Sequence, residues 1–172
     1  DLWRIKHLIQ DVKSYDVDID FQEKAFTEQK IDCVIHTACN YGRNTSLIKE
    51  VIDSNLNFGL KILNSCIKYN VKSFLNSDTL LEKNLNTYTL SKKQFVEWLK
   101  IKTDKIQVIN VRIELMYGSK DDVHKFVPWI ISQLNQNVKK IELTSGIQKR
   151  DFIYVDDVVS AYITILNKLE DL

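Results

Sequence analysis

Apolar residues recur along this chain in two alternating rhythms. Helical spacing puts Leu2, Ile5, Leu8 and Ile9 on one face of "LWRIKHLIQDV". The same spacing puts Leu56, Leu60, Leu63 and Ile67 on the stripe of a long helix over about 46–69. Helices are also predicted over about 86–102, at "FVPWIISQL" and at "DDVVSAYITILNKL". Pro128 is tolerable in a first turn, and Asp156 or Asp157 can cap the closing helix. Between these segments, "YDVDID", "IDCVIHTAC", "VKSFLNS", "IQVINVRIELMYG", "KIELTS" and "RDFIYV" read as strands. Strands alternating with crossover helices predict an α/β fold with a parallel sheet and right-handed connections. Ligands of open α/β sheets bind beyond the carboxyl ends of the strands. The informative stretches are therefore His36 to Tyr41, Asn76 to Thr79 and Glu114 to Gly118.

Composition narrows the picture. A length of 172 residues with 44% apolar content suits one folded domain with a real core. A net charge of +1 supplies no electrostatic reason to expect a nucleic acid or an anionic membrane as partner. No apolar run approaches the length of a membrane span, and charges interrupt "DLWRIKHLIQ" too often for a signal peptide. Cys33, Cys39 and Cys66 lack CxxC spacing, which suits a reducing, cytoplasmic compartment. No second His or Cys stands at metal spacing from His36, so no metal site is expected.

The candidate chemistry begins with Tyr88 and Lys92, four apart on the helix over about 86–102 and so on one face of it. An ammonium beside a phenol stabilises phenolate and lowers the tyrosine pKa, which prepares Tyr88 to exchange a proton with a substrate hydroxyl or carbonyl. With seven tyrosines in a lysine-rich chain, about one such pair is expected by chance, so context must decide. Upstream, "VKSFLNSDT" ends in Ser77, Asp78 and Thr79. A strand-end hydroxyl there can act on the same oxygen that Tyr88 protonates, or the three residues can simply form a turn.

The ordered set "IDCVIHTA", "NLNFGLKIL", "VKSFLNSDT", "YTLSK", "INVRIELMYG" and "RDFIYVDDVVSAY" resembles the extended short-chain dehydrogenase/reductases, in their nucleotide-sugar epimerase/dehydratase branch. The stretches "DLWRI", "NSDT" and "QKRDFIYVDDVV" are similar to those of bacterial CDP-dideoxyhexose synthases. The resemblance implies a Rossmann-like, doubly wound parallel sheet: a dinucleotide-binding core over 1–118, with substrate-region elements and a closing helix over 119–172 in the same domain. It implies a cytoplasmic enzyme using NAD or NADP on a nucleotide-sugar substrate. Tyr88 then resembles the general acid/base, Lys92 the lysine that holds the nicotinamide ribose, and Thr79 the assisting hydroxyl. Asp18 and Ile19 resemble the adenine-contacting pair, His36, Thr37 and Ala38 the strand end along the cofactor, and Asn55 a supporting asparagine. Arg150 resembles the arginine that clamps the substrate pyrophosphate, a task suited to its planar fork, although Asp151 could simply pair with it. The resemblance also implies that Ser77 and Asp78 bind the substrate, with Ser77 the alternative to Thr79 as the assisting hydroxyl if the strand register shifts. The family commonly forms homodimers through its two long helices, and Phe58, Ile62, Phe95 and Trp98 are candidates for that surface.

Departures from the pattern refine these expectations. None of the glycines, Gly42, Gly59, Gly118 and Gly146, forms a G-x-x-G-x-x-G phosphate loop. By the family pattern, the chain starts after the first β-α-β unit and lacks it. Leu80 and Leu81 follow Thr79 where dehydratases carry Asp-Glu, which argues for epimerisation or ketoreduction over dehydration. Leu115 stands where many members have Asn. The alternative function is a non-catalytic dinucleotide sensor or scaffold on the same fold. Lys93, about 100 degrees around the helix from Lys92, is expected to be solvated.

Overall fold

The computed structural model describes residues 3–17, 23–43 and 47–171. The chain forms two compact units, Asp1–Ile113 and Glu114–Leu172.

In the first unit a 3-10 helix, Trp3–Leu8, precedes α1 (Glu23–Glu28), β1 (Cys33–His36) and α2 (Ile48–Ile52). A π-helical segment, Asp53–Asn57, leads directly into α3 (Phe58–Lys68). Then come β2 (Ser73–Thr79), α4 (Thr87–Ile101) and β3 (Gln107–Ile113). The strands pair in parallel, in the order β1-β2-β3, as the alternation of strands and helices predicts. Val34, Phe74 and Val108 stand in register across the three strands. They pack on a core built from Leu63 and Cys66 of α3, Phe95 and Leu99 of α4, and Phe26 of α1. The crossovers β1 to β2 and β2 to β3 step the same way, so right-handed connections put α3 and α4 on one face. Gly59 lets them close: a Cβ there would stand 2.7 Å from Phe95 Cζ.

The long helix predicted over about 46–69 is present but not uniformly α-helical. Its π turn buries Asn55 completely, and such turns concentrate at functional sites. The start of α4 is set by a reciprocal capping box. Asn86 Oδ1 accepts from Thr89 N–H at 2.9 Å, and Thr89 Oγ1 accepts from Asn86 N–H at 3.1 Å. This cap places Tyr88 in the first turn.

The second unit contains β4 (Met116–Tyr117), α5 (Phe126–Asn135), β5 (Ile153–Tyr154) and α6 (Val155–Asn167), with β4 and β5 parallel. Gly118 sits against Val155 too closely for any side chain, since a Cβ would stand 2.3 Å from Val155 Cγ1.

Several predicted elements differ. "KIELTS" forms no strand; its residues are exposed apart from Ile141, so no burial rewards pairing. Asp16 and Val17 are not in a strand, and the rest of "DVDID" lies outside the described residues. The N-terminal helix is 3-10 and short, with Ile5, Leu8 and Ile9 exposed; an unpacked stripe does not support a longer α-helix. Asp156 and Asp157 lie in the first turn of α6, whose N-cap is Tyr154 without a side-chain cap. There they act through the helix dipole instead. Among the described residues no helix is long and apolar enough to cross a membrane.

Candidate active site

Two structural devices converge at the carboxyl ends of β1 and β2. Parallel strands end there together, and the capped start of α4 returns over them. Thr79, the last residue of β2, is buried, and its Oγ1 accepts from Leu81 N–H at 3.2 Å. That leaves the hydroxyl hydrogen to be donated, and the Thr79 side chain lies close enough to the Tyr88 phenol to act on its ionisation. Tyr41 packs its ring on Tyr88, with centroids 4.9 Å apart.

Lys92 is buried, one helical turn from Tyr88, at 2% exposure. It forms no ion pair among the described residues. Burial holds its pKa below the ordinary lysine value, opposed by Cys39 and Asp78 and reinforced by Lys93. Tyr88 is moved the other way from expectation. Burial pushes its phenol up, with Cys39, Tyr41 and Asp78 adding to the shift and the Thr79 side chain opposing it. Desolvation of the phenolate therefore outweighs any help from lysine in the protein alone.

Asn55 ties the site together from behind. Its Oδ1 accepts from Asn40 N–H at 2.6 Å, while Nδ2 donates to Asn40 O at 2.8 Å and to Ser91 Oγ at 2.9 Å. One amide thus fastens the segment after β1 to the face of α4. Thr37 and Ala38 open that segment and are exposed, whereas the His36 side chain turns inward among Phe58, Phe74 and Phe95.

The remaining candidates have these neighbours. The Asp78 side chain is only 2% exposed and faces α4, where Lys93 Nζ donates to Oδ2 at 2.8 Å and Asn110 Nδ2 at 3.1 Å. Lys93 is accordingly not solvated. The end of β2 lies within its reach, and a buried carboxylate draws an ammonium. Ser77 is half-buried on the same side of β2 as Thr79. In the second unit, Arg150 is half exposed and approaches Glu114 at 3.8 Å, so its carboxylate neighbour is not the adjacent Asp151. Leu115 adopts φ of +30°, a left-handed conformation that Asn tolerates better than Leu. Asp18 and Ile19 lie outside the described residues.

The sequence reading missed Ser91 and Asn110, placed Asn40 only within an informative stretch, and expected Lys93 to be solvated. Ser91, three residues from Tyr88, was open to a helical-face argument; the other three depend on contacts distant in sequence.

A sequence model of the NAD dependent epimerase/dehydratase family matches residues 3–172. The CDP-abequose synthase of Salmonella typhimurium is 38% identical over 146 residues, covering 80% of this chain and 49% of that protein. The dTDP-D-glucose 4,6-dehydratase of Dictyostelium discoideum is 29% identical over 185 residues, covering 90% of this chain and 42% of that protein. The chain thus spans about half the length of these relatives. Among solved structures, the UDP-glucose 4-epimerase of Thermotoga maritima superimposes with a TM-score of 0.75 at 19% identity, over 90% of this chain and 60% of that one. The UDP-glucose 4-epimerase of Thermus thermophilus, in complex with NAD, has a TM-score of 0.64 at 22% identity, over 84% of this chain and 56% of that one. With the family model matched from residue 3 to the last residue, the chain belongs to the NAD dependent epimerase/dehydratase family.

Proposed function

We propose that the full-length protein is an NAD(P)-dependent nucleotide-sugar 4-ketoreductase or epimerase in which Tyr88 carries the proton. The observation that supports this most directly is the convergence of the buried strand-end Thr79 with Tyr88 in the first turn of α4, one helical turn from the buried Lys92. The donor set fits a nicotinamide dinucleotide. Lys92 offers a buried ammonium with no ion pair among the described residues, suited to neutral ribose hydroxyls through charge-assisted hydrogen bonds. Thr37 and Ala38, exposed at the end of β1, offer backbone beside it. The dinucleotide supplies or accepts the hydride. Asp18 and Ile19 are proposed as its adenine contacts.

The chain's own residues handle the proton. A Tyr88 phenol held protonated by burial donates to the oxygen of a sugar ketone as alkoxide character develops there. Thr79 then supports the resulting phenolate with its hydroxyl hydrogen. Ser77 is proposed as a sugar contact and Arg150 as the pyrophosphate clamp, its half-exposed guanidinium leaving donors for a phosphate. Leu80, exposed after Thr79, supplies none of the acid/base chemistry that a dehydration needs at that position. The similarity to CDP-abequose synthases puts CDP-sugars first among substrates to test.

The test is turnover of CDP-, UDP-, GDP- and dTDP-linked sugars and 4-keto sugars by the full-length protein, alongside dinucleotide binding. Lys92→Met is expected to weaken dinucleotide binding by about tenfold to a hundredfold, the worth of one charge-assisted hydrogen bond, and to lower turnover. Unaltered dinucleotide affinity in that variant would refute the role of Lys92. Tight dinucleotide binding without conversion of any sugar would favour a sensor or scaffold.

The homodimer is proposed with a revised surface. Phe95 is fully buried, and Phe58 and Ile62 are partly buried. The exposed large apolar residues of these helices are Ile48 and Ile52 on α2 and Leu90, Trp98 and Ile101 on α4. Light scattering is expected to show a dimer that Trp98→Lys dissociates; a monomeric wild type would overturn this.

A further inference from the structure

Lys93 is the one ammonium of α4 that bonds two consecutive residues of β2. Its Nζ donates to Asp78 Oδ2 at 2.8 Å and also to the carbonyl of Thr79. The same carboxylate oxygen accepts from Asn110 Nδ2 at 3.1 Å, and Asn110 Oδ1 accepts from Asn76 Nδ2 at 2.7 Å. Asn76 and Asn110 are register partners on β2 and β3. A row of polar side chains therefore runs from β3 through β2 to α4, beneath the end of β2. Thr79 belongs to β2 and Tyr88 to α4, so the approach of the Thr79 side chain to the phenol is set across the same two elements that Lys93 fastens together.

Stability alone does not account for this pair. The cost of desolvating two charges offsets much of their attraction, so a buried ion pair is weak evidence of stabilisation. Geometry is the stronger return. A hydrogen bond weakens steeply once distance or angle drifts, and the fixed end of β2 decides where the Thr79 hydroxyl points. Asn55 restrains the neighbouring segment after β1, but it makes no bond to β2 among its contacts.

We propose that Lys93 is a positioning residue: by bonding the Asp78 carboxylate and the Thr79 carbonyl, it holds the Thr79 hydroxyl against the Tyr88 phenol. This rests on the reading of Tyr88 as the proton carrier. It also separates the two adjacent lysines, with Lys92 serving the dinucleotide and Lys93 the proton-transfer geometry.

The test is a double-mutant cycle in the full-length protein, pairing Lys93→Met with Thr79→Val. Two readouts are followed: kcat against pH, and ionisation of the Tyr88 phenol by NMR of 13C-labelled tyrosine. The groups facing that phenol are Cys39 and Tyr41 after β1, and Asp78 and Thr79 on β2. Lys93→Met is expected to lower kcat by about tenfold or more, the scale of a small misplacement at a reacting centre, without weakening dinucleotide binding. It should also move Tyr88 ionisation to higher pH, because the Thr79 side chain that opposes the upward shift of the phenol is no longer held beside it. In the Thr79→Val background, Lys93→Met should change neither readout further. An undiminished effect in that background, or a change in melting temperature alone, would overturn the proposal. If Lys93→Met fails to fold, the charge-free pair Asp78→Asn/Lys93→Met replaces it and is judged by the same two criteria. If the wild type converts no nucleotide sugar, the proposed function fails separately, and the NMR cycle still decides the role of Lys93.

Discussion

Tyr88→Phe in the full-length protein is expected to lower kcat by about a hundredfold to ten-thousandfold, the usual contribution of a positioned general acid or base. Dinucleotide affinity should change little, because the substitution keeps the ring that packs on Tyr41 and removes only the hydroxyl. The direction of reaction should set the pH dependence. A phenol pushed above its ordinary value by burial is protonated throughout the neutral range. Ketone reduction needs that proton, so it should be insensitive to pH until the phenol begins to ionise. Alcohol oxidation needs the phenolate, so its rate should rise with pH over the same range. Steady-state rates in both directions, with wild type and Tyr88→Phe, check both statements. Retained turnover in Tyr88→Phe would exclude Tyr88 as the proton carrier.

The second large effect concerns stability in acid. His36 is 4% exposed among three aromatic rings, and its Nε2 has no hydrogen-bond partner among the described residues. Burial, with a smaller contribution from the Lys92 charge, lowers its pKa from 6.5 to about 4. Because the folded value lies below the unfolded one, the unfolded chain binds the proton more readily between the two. Stability is therefore undiminished above about pH 6.5, falls as the pH drops towards 4, and loses no more from this group below that. The full loss is about 3 kcal/mol. His36→Leu removes the titrating group and the unpartnered nitrogen from an apolar setting. Urea unfolding at pH 7 and pH 5 should show a large drop for the wild type and a much smaller one for His36→Leu. Equal drops would place the acid sensitivity elsewhere.

Much of the fold was legible in the sequence. The strands at Cys33–His36 and Gln107–Ile113 are runs rich in apolar and β-branched residues, Ser73–Thr79 carries an apolar pair in Phe74 and Leu75, and the helices between them carry a 3.6-residue stripe. Local pattern was enough there because each element pays its own way in burial. The candidate proton-transfer group was legible as order and type: a strand-end hydroxyl, then tyrosine and lysine one turn apart. Short or unpacked segments were not. "KIELTS" has the composition of a strand but no partner, and pairing is a property of two segments.

By itself, then, the sequence determined the parallel α/β layout and the presence of Thr79 at the end of one element with Tyr88 and Lys92 on the next. Only the tertiary structure decided how those groups are held and charged. Adjacent lysines look alike in a sequence, yet Lys92 is buried beside His36 while Lys93 reaches the Asp78 carboxylate on another element. Spacing suggested that lysine would make Tyr88 more acidic, but the phenol is shifted the other way. The physical reason is the same in both cases. Ionisation depends on the water removed and on the charges brought near by packing, and neither is set by neighbours along the chain.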